Sequence, residues 1–86
     1  MSQLSQLKQS VEGVASAARS SGSELARFDR QFTQQIQQVQ AQIGGSAQKA
    51  DQQVTQALDG AAKAVSQAVA ALHSAAQVAS QYARSI

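Results

Sequence analysis

Histidine occurs once in the chain, at position 73. One imidazole cannot build a histidine metal set or a catalytic dyad by itself. His73 falls in the polar sector of its segment, where it reads as a surface residue. The acids are Glu12, Glu24, Asp29, Asp51 and Asp59, and none is paired at the spacing that general acid–base work requires. Cysteine is absent, so there is no disulfide, no thiolate ligand and no clue to redox compartment. The glycines match neither a phosphate loop nor a dinucleotide fingerprint, because no strand precedes them. Serines are plentiful, but none has a usable base near it in sequence. These residues predict a protein without enzymatic activity, cofactor or metal, which acts by binding.

Composition narrows the partners. Seven basic residues and five acids give a net charge of +2 over 86 residues. The bases are scattered from Lys8 to Arg84, so no basic stripe suited to a phosphate backbone forms and nucleic acid is not expected. The longest uninterrupted apolar run, residues 68–72, is far below the roughly 20 residues that span a bilayer. The first residues lack the charged start and apolar core of a secretory signal peptide. Export, if it occurs, is expected to proceed without a cleaved signal.

The elements that position these residues follow from what is missing. Proline is absent, aromatic residues number three, and Ala, Gln and Ser dominate, which favours long helices over a sheet. The expected class is all-α in a single domain. At the midpoint stand Ile43, Gly44, Gly45 and Ser46. Two consecutive glycines are the strongest helix stop in the chain, since glycine readily takes the conformation that closes a helix C-terminus. Ser46 is expected to cap the next helix, with Asp51 near the positive end of its dipole. The reading is an antiparallel hairpin with helix 1 at about residues 4–42, a turn at 43–46 and helix 2 at about 47–86. Each arm is about 60 Å long at 1.5 Å per residue, so the arms are expected to lie flush.

In the first arm Leu4, Leu7, Val11, Val14, Ala18, Leu25, Phe28, Phe32 and Val39 recur in 3-4 alternation, interrupted by Ser21 and Gln35. That spacing is a heptad seam. Near the hinge Ile36 and Ile43 shift the stripe by one position, which suits a short bundle better than a long coiled coil. Gly22 reads either as a break, reinforced by a Ser21-x-x-Glu24 capping-box pattern, or as a site of close helix approach. Phe28 and Phe32 read either as hairpin core or as an anchor buried against a second protein.

In the second arm the seam is unbroken: Val54, Leu58, Ala61, Val65, Ala68, Leu72, Ala75, Ala79, Tyr82 and Ile86. Both flanks are apolar too, with Ala57, Ala64, Ala71 and Val78 on one side and Ala62, Val69, Ala76 and Ala83 on the other. A two-helix hairpin needs only a narrow stripe per helix, so a stripe this wide predicts a second surface to cover. The expected partner interface comprises Leu25, Phe28, Phe32, Val54, Leu58, Ala61, Val65, Val69, Leu72 and Ala76. Dimerisation into a four-helix bundle is expected to complete the core.

In this layout the chain resembles the small WXG (Esx, early secreted antigenic target-like) proteins of bacterial type VII secretion. Ile43-Gly44-Gly45 occupies the place of the family's Trp-x-Gly turn, and an Ala- and Gln-rich second helix follows. Tyr82 stands where the family carries Tyr-x-x-x-Asp/Glu. Ile43 replaces the Trp, and the position four after Tyr82 is Ile86 rather than an acid, so Tyr82 is a degenerate export signal. The resemblance implies a protein made in the cytoplasm and exported, or held at the cell envelope, as a dimer with a WXG-type partner. That partner is expected to supply the missing Trp and the acidic tail, with a heterodimer favoured over a homodimer and the type VII machinery as the exporter. Two other functions stay open at this point. Amphipathic helices of this kind lay Leu58, Val65, Val69 and Leu72 on a bilayer if the hairpin reopens. Alternatively, the chain is an adaptor or targeting partner of a larger secreted toxin.

Overall fold

The computed structural model describes residues 2–44 and 48–86. Two helices, α1 (Gln3–Ile43) and α2 (Lys49–Ser85), account for nearly all of them, and they pack antiparallel into a rod of 65 × 17 × 14 Å. No strand occurs among the described residues.

Local chemistry sets the helix ends. At the start of α1 the Ser2 hydroxyl accepts the Ser5 amide at 3.1 Å, taking up one of the first-turn donors that no carbonyl can reach. At the other end the Gly44 amide donates to the Gln40 carbonyl at 2.9 Å, and Gly44 then turns to φ 67, ψ −147. That region is essentially reserved for glycine. Ile43, expected in the turn, is the last residue of α1. The remaining hinge residues expected from the sequence, Gly45 and Ser46, lie outside the described residues, as does the expected serine cap. Gln48 occupies the N-cap position of α2, and Asp51 lies in the first turn, with Arg84 in the last. Both charges have the sign that the helix dipole favours. Gly22 does not break α1, which runs without interruption through it.

The register is read from two cross-helix hydrogen bonds. Arg19 donates to the Ser80 hydroxyl, and Gln40 donates to Asp59 Oδ1 at 3.0 Å. Each step forward on α1 is thus matched by one step back on α2. With this pairing the arms are not flush. Residues 2–10 are all exposed, because α1 continues past the end of α2. Leu4 and Leu7 therefore meet no residue of the second helix in a packed core and stay exposed.

Packing selects two heptad rows from each helix. On α1 these are 11-18-25-32-39 (Val, Ala, Leu, Phe, Val) and 15-22-29-36-43 (Ala, Gly, Asp, Ile, Ile), every member of which is buried or half-buried. On α2 they are 58-65-72-79-86 and 55-62-69-76-83, again buried or half-buried throughout. Among the described residues the buried positions are mostly small, Ala15, Gly22, Ala76 and Ala83, with Ile36 the one large side chain. Small residues let the two backbones approach and bring many atoms into dispersion contact.

This arrangement corrects the expected seam by one row in each helix. The row Leu7-Val14-Ser21-Phe28-Gln35 was expected to face α2 but is exposed along its whole length. In α2 the row Val54-Ala61-Ala68-Ala75-Tyr82 lies outside the hairpin core, with only Ala68 half-buried.

A candidate partner-docking face

The two unused rows fall on the same side of the rod. Between them runs an apolar groove lined by Ser10, Val11 and Val14 from α1 and by Ala75, Val78, Ala79 and Tyr82 from α2. Val14 is 63% and Val78 61% exposed, although these side chains gain most by leaving water. Further along, Phe28 stacks on Phe32 with ring centroids 5.5 Å apart and 14° between planes. Phe32 is half-buried between the helices while Phe28 is 47% exposed, so the pair carries aromatic surface from the hairpin core out to the open side. Val54, with Ala57, Ala61 and Ala64, extends the strip toward the hinge, all of them exposed.

The opposite side differs in chemistry. Both cross-helix hydrogen bonds lie there, since Gln40 is three heptads along from Arg19 and Asp59 is three heptads back from Ser80. A cleft on that side is lined by Arg19, Ser23, His73, Ala76, Gln77, Ser80 and Arg84. The hairpin thus has one apolar long side and one polar long side.

The residues expected at a partner interface divide accordingly. Phe28, Val54 and Ala61 are exposed on the apolar side. Leu25, Phe32, Leu58, Val65 and Leu72 are half-buried, sharing their surface between the hairpin and the groove side. Val69 and Ala76 belong to the inner row, and Ala76, at 2% exposure, is enclosed within the hairpin with no surface left for a partner. Of the flanks, 62-69-76-83 packs on α1, whereas 57-64-71-78 is exposed. Tyr82 lies inside α2 rather than after it, 47% exposed at the end of the groove.

Sequence reasoning assigned Val14 to the hairpin seam, and it placed Val78 on a flank awaiting a second surface without naming it in the interface. The signal available was the shift at Ile36 and Ile43, which belongs to the row that also holds Ala15 and Gly22. It missed Ser2 as a cap as well, although a serine three residues before Ser5 was legible. His73 is exposed as expected. Among the described residues no group of three or more His, Cys, Asp and Glu could hold a metal ion, and no helix is long and apolar enough to cross a membrane.

No family model matches the chain, and neither a curated protein nor a solved structure matches it.

Proposed function

We propose that this protein is a non-enzymatic helical-hairpin interaction module whose apolar side is covered by a second hairpin in a four-helix bundle. The observation that carries the reading is the exposed apolar side, with Leu7, Val14 and Phe28 on α1 and Val54, Val78 and Tyr82 on α2. The amount of surface supports it. The chain exposes 6152 Å², whereas a compact monomer of 8.9 kDa exposes about 4,800 Å². The excess of about 1,300 Å² is more than the roughly 800 Å² that each partner contributes to a standard stable interface. An apolar strip running along the rod fits another rod better than a globular surface, because helix-on-helix packing needs long complementary ridges.

On the resemblance in layout to the WXG proteins, the second hairpin is a WXG-type partner and the pair is a substrate of type VII secretion. Co-expression with the products of adjacent reading frames, followed by size-exclusion chromatography with light scattering, tests this. The expected result is a stable two-chain complex. A well-folded monomer persisting at micromolar concentration, alone and with every neighbour, contradicts it. The same apolar side also suits a bilayer surface, and dye release from liposomes at neutral and acidic pH separates the two readings.

A further inference from the structure

The polar side carries a second feature, independent of the partner reading. Its cleft combines two guanidiniums, Arg19 and Arg84, with the His73 imidazole, the Ser23 and Ser80 hydroxyls and the Gln77 amide around buried Ala76. No carboxylate lines it. The acids nearest Arg19 and Ser23 on α1 are Glu12 and Glu24, and neither belongs to the lining; on α2 the nearest is Asp59, which is engaged by Gln40. Among the described residues neither arginine forms an ion pair.

The positions are set by the fold. Arg19 is tied across the helix pair to Ser80, which holds its guanidinium over the cleft. The His73 ring rests against the Gly22 backbone, where no side chain displaces it. Charged and hydrogen-bonding side chains therefore converge from two helices on one concavity.

We propose that this cleft binds the phosphate group of a phosphate monoester. Two guanidinium charges match the −1.5 to −2 charge of such a group near neutral pH. Arginine also presents donors in a planar fork suited to phosphate oxygens. The hydroxyls and the amide add neutral donors for the remaining lone pairs. A carboxylate has half the charge and one oxygen fewer to satisfy, so it fills this donor set less completely. The cleft faces away from the apolar groove and stays open with a second hairpin in place.

The test is a titration of the ¹⁵N-labelled full chain at constant ionic strength with inorganic phosphate, acetate and O-phosphoserine, followed by NMR. A separate arm measures sedimentation with vesicles containing phosphatidic acid. The expected result is saturable shifts at Arg19, Ser23, His73, Gln77, Ser80 and Arg84, with phosphate about tenfold tighter than acetate. Arg19→Gln and Arg84→Gln each weaken phosphate about tenfold, while Lys63→Gln, outside the lining, changes it less than about twofold. Binding to O-phosphoserine without vesicle binding assigns a soluble phosphomonoester, and vesicle binding lost in the arginine variants assigns a lipid headgroup. Shifts that fail to saturate, that spread equally over all the basic residues, that are equal for acetate, or that survive both arginine substitutions overturn the proposal. All the substituted side chains are exposed, and circular dichroism confirms that the variants fold.

Discussion

The His73 ring lies directly over Gly22: a Cβ built on Gly22 would stand 2.8 Å from His73 Cδ2 and 3.1 Å from Nε2. Glycine inside a helix ordinarily costs about 1 kcal/mol relative to alanine, and here that cost accompanies a close approach between α1 and α2. In Gly22→Ala the propensity gain is offset by displacement of the ring, so the net change in stability is expected to be small. In the His73→Ala background the ring is gone, and Gly22→Ala is expected to stabilise by about 1 kcal/mol. Urea unfolding of the four proteins in a double-mutant cycle measures the difference. Equal effects of Gly22→Ala in both backgrounds would show that the contact carries no energy.

Gly13 and Gly60 supply the contrast. Both are exposed within helices, and a Cβ at either meets nothing within 4 Å. Gly13→Ala and Gly60→Ala are each expected to raise stability by about 0.5–1 kcal/mol, with the double variant additive. Thermal unfolding by circular dichroism reads this directly.

Gly44 is expected to respond in the opposite direction. Nothing lies within 4 Å of a Cβ there, so any cost of substitution comes from its backbone conformation, φ 67, ψ −147. Gly44→Ala should destabilise by about 1–3 kcal/mol, and Gly44→Val at least as much. Denaturant midpoints compared with those of Gly13→Ala separate strain from propensity.

A charge on the apolar side is expected to act on association rather than on the hairpin. Val14→Asp and Val78→Asp place carboxylates in the groove, where a partner would have to desolvate them. Both variants should keep full helicity and lose the complex by light scattering. Ala83→Leu does the reverse: at 1% exposure Ala83 has no room, and overpacking is expected to cost about 1–3 kcal/mol of hairpin stability.

These residues also show what could be read in advance. The hinge was legible because Gly44 and Gly45 have no competing signal, and the helices were legible because Leu, Val and Ala recur at heptad spacing with no proline. The choice of rows was not. In α2 four adjacent rows are apolar, so periodicity leaves the facing pair undecided. In α1 the bulk of Leu7, Val14 and Phe28 favoured the wrong row. Close backbone approach favours Ala15, Gly22, Ala76 and Ala83, whose benefit comes from contact density rather than from side-chain transfer. The overhang of α1 was hidden for a related reason, since arm lengths do not fix the register that Arg19–Ser80 and Gln40–Asp59 reveal. The polar cleft draws residues from both arms and has no signature within either one.

The division into inner and outer rows is tested most directly by thiol labelling, because the chain contains no cysteine. Single Val78→Cys and Ala76→Cys variants are reacted with a maleimide in the isolated chain and in the co-purified complex. The account predicts fast labelling of Val78→Cys in the isolated chain, strong protection in the complex, and slow labelling of Ala76→Cys in both. Equal rates at the two positions, or no protection of Val78→Cys in the complex, would contradict it.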